Sequence, residues 1–210
     1  MTREQIVDKV LAKLEEVSPF GEGLSVLNSN SNPTESYIRS EMQPACDELL
    51  QLCPLHLTTP EPIPLTGEGL DLFIPEVVKG RSVGYLELPP DFLRLHTLKM
   101  DSWERPVHRP ISIENPAYQD QFNTWARGGN AKPIVVKNSN KLEIYTFDTG
   151  SIPVIHLYVP QINMKDNFEI NANLVDPLCS LIAANVYAIF GSPQQKVMLE
   201  QVNAYLKSTL

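Results

Sequence analysis

Between Tyr85 and Met100 the chain reads Tyr-Leu-Glu-Leu-Pro-Pro-Asp-Phe-Leu-Arg-Leu-His-Thr-Leu-Lys-Met, an apolar run with strand character that is broken in its middle by two adjacent prolines. Proline donates no backbone N–H and holds the residue before it in extended geometry, so at Pro89 and Pro90 the chain must leave any central ladder. Asp91 suits the turn that follows, because its side chain bonds to nearby backbone N–H groups. Phe92 to Met100 then resumes an extended run, and the segment reads as a bent strand leading into a hairpin.

Helical signals flank this region. Thr2-Arg-Glu-Gln5 has the form of a capping box, and Ile6, Val10, Leu14 and Val17 recur at helical spacing until Pro19. Gly21 to Asn32 reads as a loop, after which Asn32-Pro33-Thr-Glu35 offers an N-cap, a first-turn proline and an acid. The second helix carries Ile38, Met42, Ala45, Leu49 and Leu52 on one face, with Pro44 predicting a kink. Asp176-Pro177 is the expected start of a third long helix, with Leu178, Leu181, Ile182, Val186 and Ile189 on its inner face. Gly191-Ser-Pro-Gln-Gln195 ends that helix and caps a last one, whose Met198, Val202, Tyr205 and Leu206 share a side.

From Pro54 to Pro75 proline and glycine punctuate an apolar stretch at Pro60, Pro62, Pro64, Gly67 and Gly69, which reads as an extended connector over the surface. The region beyond it is β-rich. Pro133 to Lys137 and Lys141 to Phe147 flank Asn138-Ser-Asn140, the composition of a tight hairpin, and Pro153 to Val159 supplies a third strand. The expected architecture is α+β. Residues 1–53 and 161–210 form one helical bundle, 54–80 a proline-rich connector and 81–160 a β-rich module.

With 210 residues, 42% of them apolar and 20% charged, the chain is long enough for a substantial core. Its 17 basic and 25 acidic residues give a net charge of −8, which argues against a surface that grips duplex DNA through phosphate neutralisation. Cys46, Cys53 and Cys179 are an odd number without C-x-x-C spacing, so buried free thiols are expected rather than disulfides or a zinc site. The N-terminus has no secretory pattern and no apolar run approaches a membrane span, which predicts synthesis in a reducing cytoplasm.

The residues that carry chemistry elsewhere are scattered here. His56, His96, His108 and His156 have no metal-ligand spacing, Ser151, Ser180 and Ser192 lack a nucleophile elbow, and no phosphate-cradling glycine loop is present. No catalytic, metal or cofactor-binding residue is assigned. Trp103, in the polar hairpin Asp101-Ser-Trp-Glu-Arg105, has two readings: a turn residue buried by another subunit, or a ring folded back onto its own strand. Tyr118, Phe122 and Trp125 form a stripe that reads as the inner face of a short helix.

The phrase Leu88-Pro-Pro-Asp-Phe-Leu-Arg94 resembles the L-P-x-D-x-L-R signature of phage head-to-tail connector proteins, the family of tail tubular protein A and related neck adaptors. The order after it is also similar: a hairpin containing Trp103, a helical patch at Asn115 to Trp125, strands from Pro133 to Val159 that end in the step Leu157-Tyr-Val-Pro160, and two terminal helices. The resemblance spans roughly Tyr85 to Leu206. In length and asparagine-rich style the chain looks most like the ring proteins of crAss-like phages.

This resemblance implies a structural virion protein, assembled in the host cytoplasm. It would close into a homo-oligomeric ring of about twelve copies beneath the portal protein. The ring would extend the DNA channel and dock the downstream neck or tail ring proteins, with DNA passing through without specific binding. Candidate subunit or tail contacts are Phe92, Arg94, Trp103 and Trp125. The portal contact would use Met198, Tyr205, Leu206 and Leu210, unless Tyr205 and Leu206 pack on their own Leu178 to Ile189 helix. Only Lys207-Ser-Thr-Leu210 follows that helix pair, where family members use a longer extension. The alternatives are a small peptide-binding module using the Pro54 to Pro64 arm, or a hydrolase without a recognisable motif.

Overall fold

The computed structural model describes residues 1–16, 31–62, 73–78, 81–88, 90, 92–123, 125–145, 147–148, 156–160 and 162–208. Most of the expected Gly21 to Asn32 loop, together with Pro64, Gly67, Gly69, Pro89, Asp91, Pro153 and Leu210, lies outside these residues. The fold is α+β and divides into two compact units, Met1–Thr59 with Gln161–Leu210, and Pro60–Pro160.

The first unit is a helical bundle of α1 (Arg3–Glu16), α2 (Ser31–Leu52), α4 (Ala172–Ile189) and α5 (Gln194–Ser208). The capping box of α1 is reciprocal: the Gln5 amide donates to Thr2 Oγ1 at 3.3 Å and the Thr2 amide to Gln5 Oε1 at 2.9 Å. α4 is the central element, packing against α1, α2 and α5. It reaches the length and hydropathy of a membrane span, contrary to the expectation from the sequence, but 61% of that window is buried inside the bundle, as in a core helix. Its start also differs. Asn171 caps it through the Asn173 amide at 3.0 Å, and Pro177 falls inside the helix rather than at its first turn.

Two polar links fix the bundle. Gln43 on α2 uses its amide as a substitute peptide group: Nε2 donates to the Ile162 carbonyl and Oε1 accepts from the Met164 amide, both at 3.0 Å. The Tyr187 hydroxyl of α4 donates to the Leu14 carbonyl at 2.9 Å, which satisfies a buried phenol and the end of α1 together. α2 runs unbroken through Pro44, although the ring removes one of its backbone bonds. Gly191, at φ +63°, ends α4. The Gly191 amide reaches the Ala188 carbonyl and the Ser192 amide the Tyr187 carbonyl, both at 3.0 Å.

The second unit holds two sheets. The larger has the order β2 (Phe73–Val78), β3 (Arg81–Glu87), β7 (Lys141–Tyr145), β6 (Ile134–Asn138), β5 (Ile111–Ser112), antiparallel except for the β5 and β6 pair. The smaller has β8 (His156–Pro160) between β1 (Pro60–Pro62) and β4 (Thr97–Lys99). The proline-rich segment is therefore not simply a surface connector: Pro60 to Pro62 pair with Tyr158 to Pro160, and Phe73 to Val78 pair with β3. After β3 the chain passes from the larger sheet to the smaller one, where β4 leads into the expected hairpin around Trp103, closed by the antiparallel pairing of Leu98 with Val107, and β8 joins β4 rather than the β6 and β7 hairpin. Strand alternation divides the larger sheet's side chains. Leu86, Val135, Leu142 and Ile144 enter a core with Leu95, Leu98 and Met100, while Val83, Val136 and Tyr145 lie on the other face with Tyr118 of α3 (Pro116–Asp120).

Candidate functional site

The residues expected to meet other subunits separate sharply once folded. Trp103 is only 2% exposed and belongs to the core with Leu95, Leu98, Met100 and Phe147. A tight turn, closed by the Trp103 amide on the Met100 carbonyl at 3.1 Å, folds the ring back, and the Leu98 and Val107 backbones pair around it. The cross-subunit reading of Trp103 is corrected accordingly: its own chain covers it. Phe92 is half-buried against the same core, with Lys137 Nζ 5.7 Å from its ring centroid, and Arg94 is half-buried as well.

On α5, burial takes two of the expected portal contacts, Met198 and Leu206, off the outward surface. Met198 and Leu206 are 1% and 8% exposed, and with Val202 they form the buried stripe of a helix whose main neighbour is α4. Tyr205 is half-buried. Residues three and four apart share a helix face, so an apolar stripe of this spacing is used up by the nearest core.

Trp125 has the opposite fate. The helical patch ends at Asp120, after little more than one turn, so the stripe from Tyr118 cannot continue inward to Trp125. Tyr118 packs against Tyr145, with ring centroids 5.9 Å apart, and Phe122 packs edge-on against Tyr118 at 5.1 Å. Phe122 is nevertheless half exposed and Trp125 is 96% exposed. The expectation of an inward-facing stripe fails at Trp125, and a large aromatic side chain is left in solvent.

The bundle carries a second exposed apolar surface that the helical periodicity did not indicate. Ile189 was expected on the inner face of α4 but is half exposed, and Phe190 beside it stands at the helix end. Phe190 meets Tyr37 of α2 edge-on at 5.5 Å. Glu41, one turn after Tyr37, accepts from Asn185 Nδ2 at 3.3 Å. The signal available in the sequence was the consecutive Ile189-Phe190 next to the Gly191 stop, where an apolar residue runs past the end of the packed helix.

Among the described residues, one cluster of polar side chains centres on Thr97. Thr97 Oγ1 lies 3.0 Å from His96 Nδ1 and 3.2 Å from His108 Nδ1. His108 Nδ1 is also 2.9 Å from the His96 carbonyl, which only accepts, so that nitrogen holds a proton and cannot take one from the threonine. A cavity of about 770 Å³ between α1 and the start of α4 is lined by Gln5, Lys9, Lys13, Asp176 and Cys179, with Lys13 Nζ 2.8 Å from Asp176 Oδ1. Burial pushes the Cys179 thiol up to about 11 and Cys46 to about 12, which keeps both protonated at neutral pH and poor as nucleophiles or metal ligands. Among the described residues, no three His, Cys, Asp or Glu side chains come together as a metal set.

No protein-family model matches the chain, and no curated protein is recognisably similar to it.

Proposed function

We propose that the protein is a structural virion component, a head-to-tail adaptor that closes into a ring below the phage portal, extends the DNA channel and docks the tail. The observation that carries this reading is Trp125, which is 96% exposed and whose backbone amide is held by Asn123 Oδ1. Tryptophan is enriched where one protein buries another's surface, and an isolated one in water has no structural use to its own fold. The connector-like phrase Leu88 to Arg94 supports the same assignment by resemblance, and so does the order of elements after it. The net charge of −8 suits a conduit through which DNA moves without sticking.

The peptide-binding alternative loses support because Pro60 to Pro62, the centre of the proposed arm, already pair with β8. The hydrolase alternative loses support from the protonated thiols and the His108 geometry. The reading is tested by mixing the full chain with its phage's portal ring and measuring co-sedimentation. Wild type should sediment with the ring. Trp125→Ala should lower the amount of chain loaded on each portal ring by about tenfold with unchanged melting, because the side chain serves a contact between subunits and has no core to lose. Failure of the wild-type chain to bind the portal would remove the adaptor reading.

A further inference from the structure

Two exposed aromatic surfaces among the described residues differ in charge. On the β unit, the loop from Gln121 to Lys132 contains Arg127 and Lys132 and no acidic residue of its own, with Asp120 before it and Asp148 bonded to its far end, so the cation beside Trp125 is Arg127. Side-chain and backbone hydrogen bonds hold the described residues of this loop. Asn123 Oδ1 accepts from the Trp125 amide at 3.0 Å, and the Asn123 carbonyl accepts from the Ala126 and Arg127 amides at 3.2 and 3.1 Å. Asn130 anchors its far end to Asp148 Oδ1 at 3.1 Å, and Gly129 takes the left-handed conformation at φ +61°. Trp125 and Arg127 are thus presented on a built support.

On the bundle, Tyr37, Ile189 and Phe190 lie beside Glu41, on a helix that carries Glu35, Glu41, Asp47 and Glu48 against the single cation Arg39. Arg39 is already engaged by Glu4. The bundle unit as a whole has seven basic and thirteen acidic residues. The C-terminal end of α4, at Phe190, adds the negative pole of a helix to this surface.

We infer that the Trp125 loop of one copy docks on the Tyr37, Ile189 and Phe190 surface of the next, with Arg127 facing Glu41. The inference rests on the reading of the chain as a ring subunit and names the contact that would propagate the ring. A second copy is the occupant because both halves are carried by one chain, are aromatic, and have opposite local charge. Two different patches meeting in this way make a heterologous contact, which repeats from copy to copy and closes when its rotation allows.

The test uses the full chain. All three native cysteines are buried, so a thiol added at the surface is the reactive one. Ala126→Cys and Ala188→Cys, both at exposed positions next to the two patches, are purified separately, mixed at high concentration and oxidised. The expected product is a disulfide-linked pair containing one chain of each variant, formed about tenfold or more above a control that pairs Ala126→Cys with Glu200→Cys. Adding Trp125→Ser or Arg127→Glu to the Ala126→Cys chain should abolish it, and Glu41→Arg in the Ala188→Cys chain should restore the product lost with Arg127→Glu.

Yield no higher than the control overturns the contact, as does cross-linking that is indifferent to Trp125→Ser. So does cross-linking of Ala126→Cys chains only to one another, which would mean an isologous interface. The ring reading fails separately. Closed rings in electron micrographs without this cross-link discard the contact alone, and the cross-link in open filaments or dimers supports the contact while discarding the ring.

Discussion

Tyr37 on α2 and Phe190 at the end of α4 meet edge to face, with ring centroids 5.5 Å apart and planes at 88°, yet 38% and 49% of their surfaces remain in solvent. Such a pair contributes about 0.5 to 1.5 kcal/mol beyond burial, and at this exposure the lower end applies. Its larger consequence is preorganisation: two rotamers that a partner would otherwise have to fix are already set.

Trp103→Ala should destabilise the β unit by about 3 to 5 kcal/mol, because the ring is fully enclosed between the sheets. Urea denaturation checks this. A midpoint close to wild type would mean that the ring is held by something other than its own chain.

Gln43→Ala should cost about 1 to 3 kcal/mol, since it leaves both the Ile162 carbonyl and the Met164 amide without the partner that the glutamine supplies. Hydrogen exchange at the Met164 amide gives a local readout, and protection there should fall first.

Ser139→Gly should raise stability by roughly 0.5 to 1 kcal/mol, because Ser139 sits at φ +53° in the two-residue turn between β6 and β7, where a side chain is strained. A lower midpoint in denaturant would mean that the unfolded-state entropy of glycine outweighs the strain relieved.

Stability should fall as pH rises above about 9. Burial lifts the Cys46 thiol from an ordinary value near 9 to about 12. Below pH 9 both states keep the proton; between 9 and 12 the unfolded chain releases it while the folded chain holds it, so the unfolded state binds fewer protons and is favoured. Tyr145, raised by burial and then by its hydrogen bond to Glu143, acts in the same direction above its ordinary value of 10. Cys46→Ala should flatten the decline measured by denaturation at pH 8, 9 and 10.

What was legible in the sequence was local. The Thr2 and Gln5 capping box, the Gly191 stop and the Asn138 to Asn140 hairpin depend on residues a few positions apart, and each forms where the residue chemistry indicates. What was not legible depended on distant partners. Nothing within Pro60 to Pro62, Thr97 to Lys99 or His156 to Pro160 specifies that they pair, and the exchange of sheets after Glu87 follows from the pairing of β4 with β8. The same limit governs the aromatic residues. Trp103 and Trp125 both lie in polar, turn-rich surroundings, yet only Trp103 has a core within reach of its turn. Leu206 was open to an internal or an external partner until α4 was seen to occupy that side.

The most direct test of the adaptor reading is end-on electron microscopy of the full chain assembled with its portal ring. The account predicts a closed ring of about twelve copies, coaxial with the portal and enclosing a channel wide enough for duplex DNA. A chain that stays monomeric beside intact portal rings, or binds them at scattered positions without closing, would contradict it.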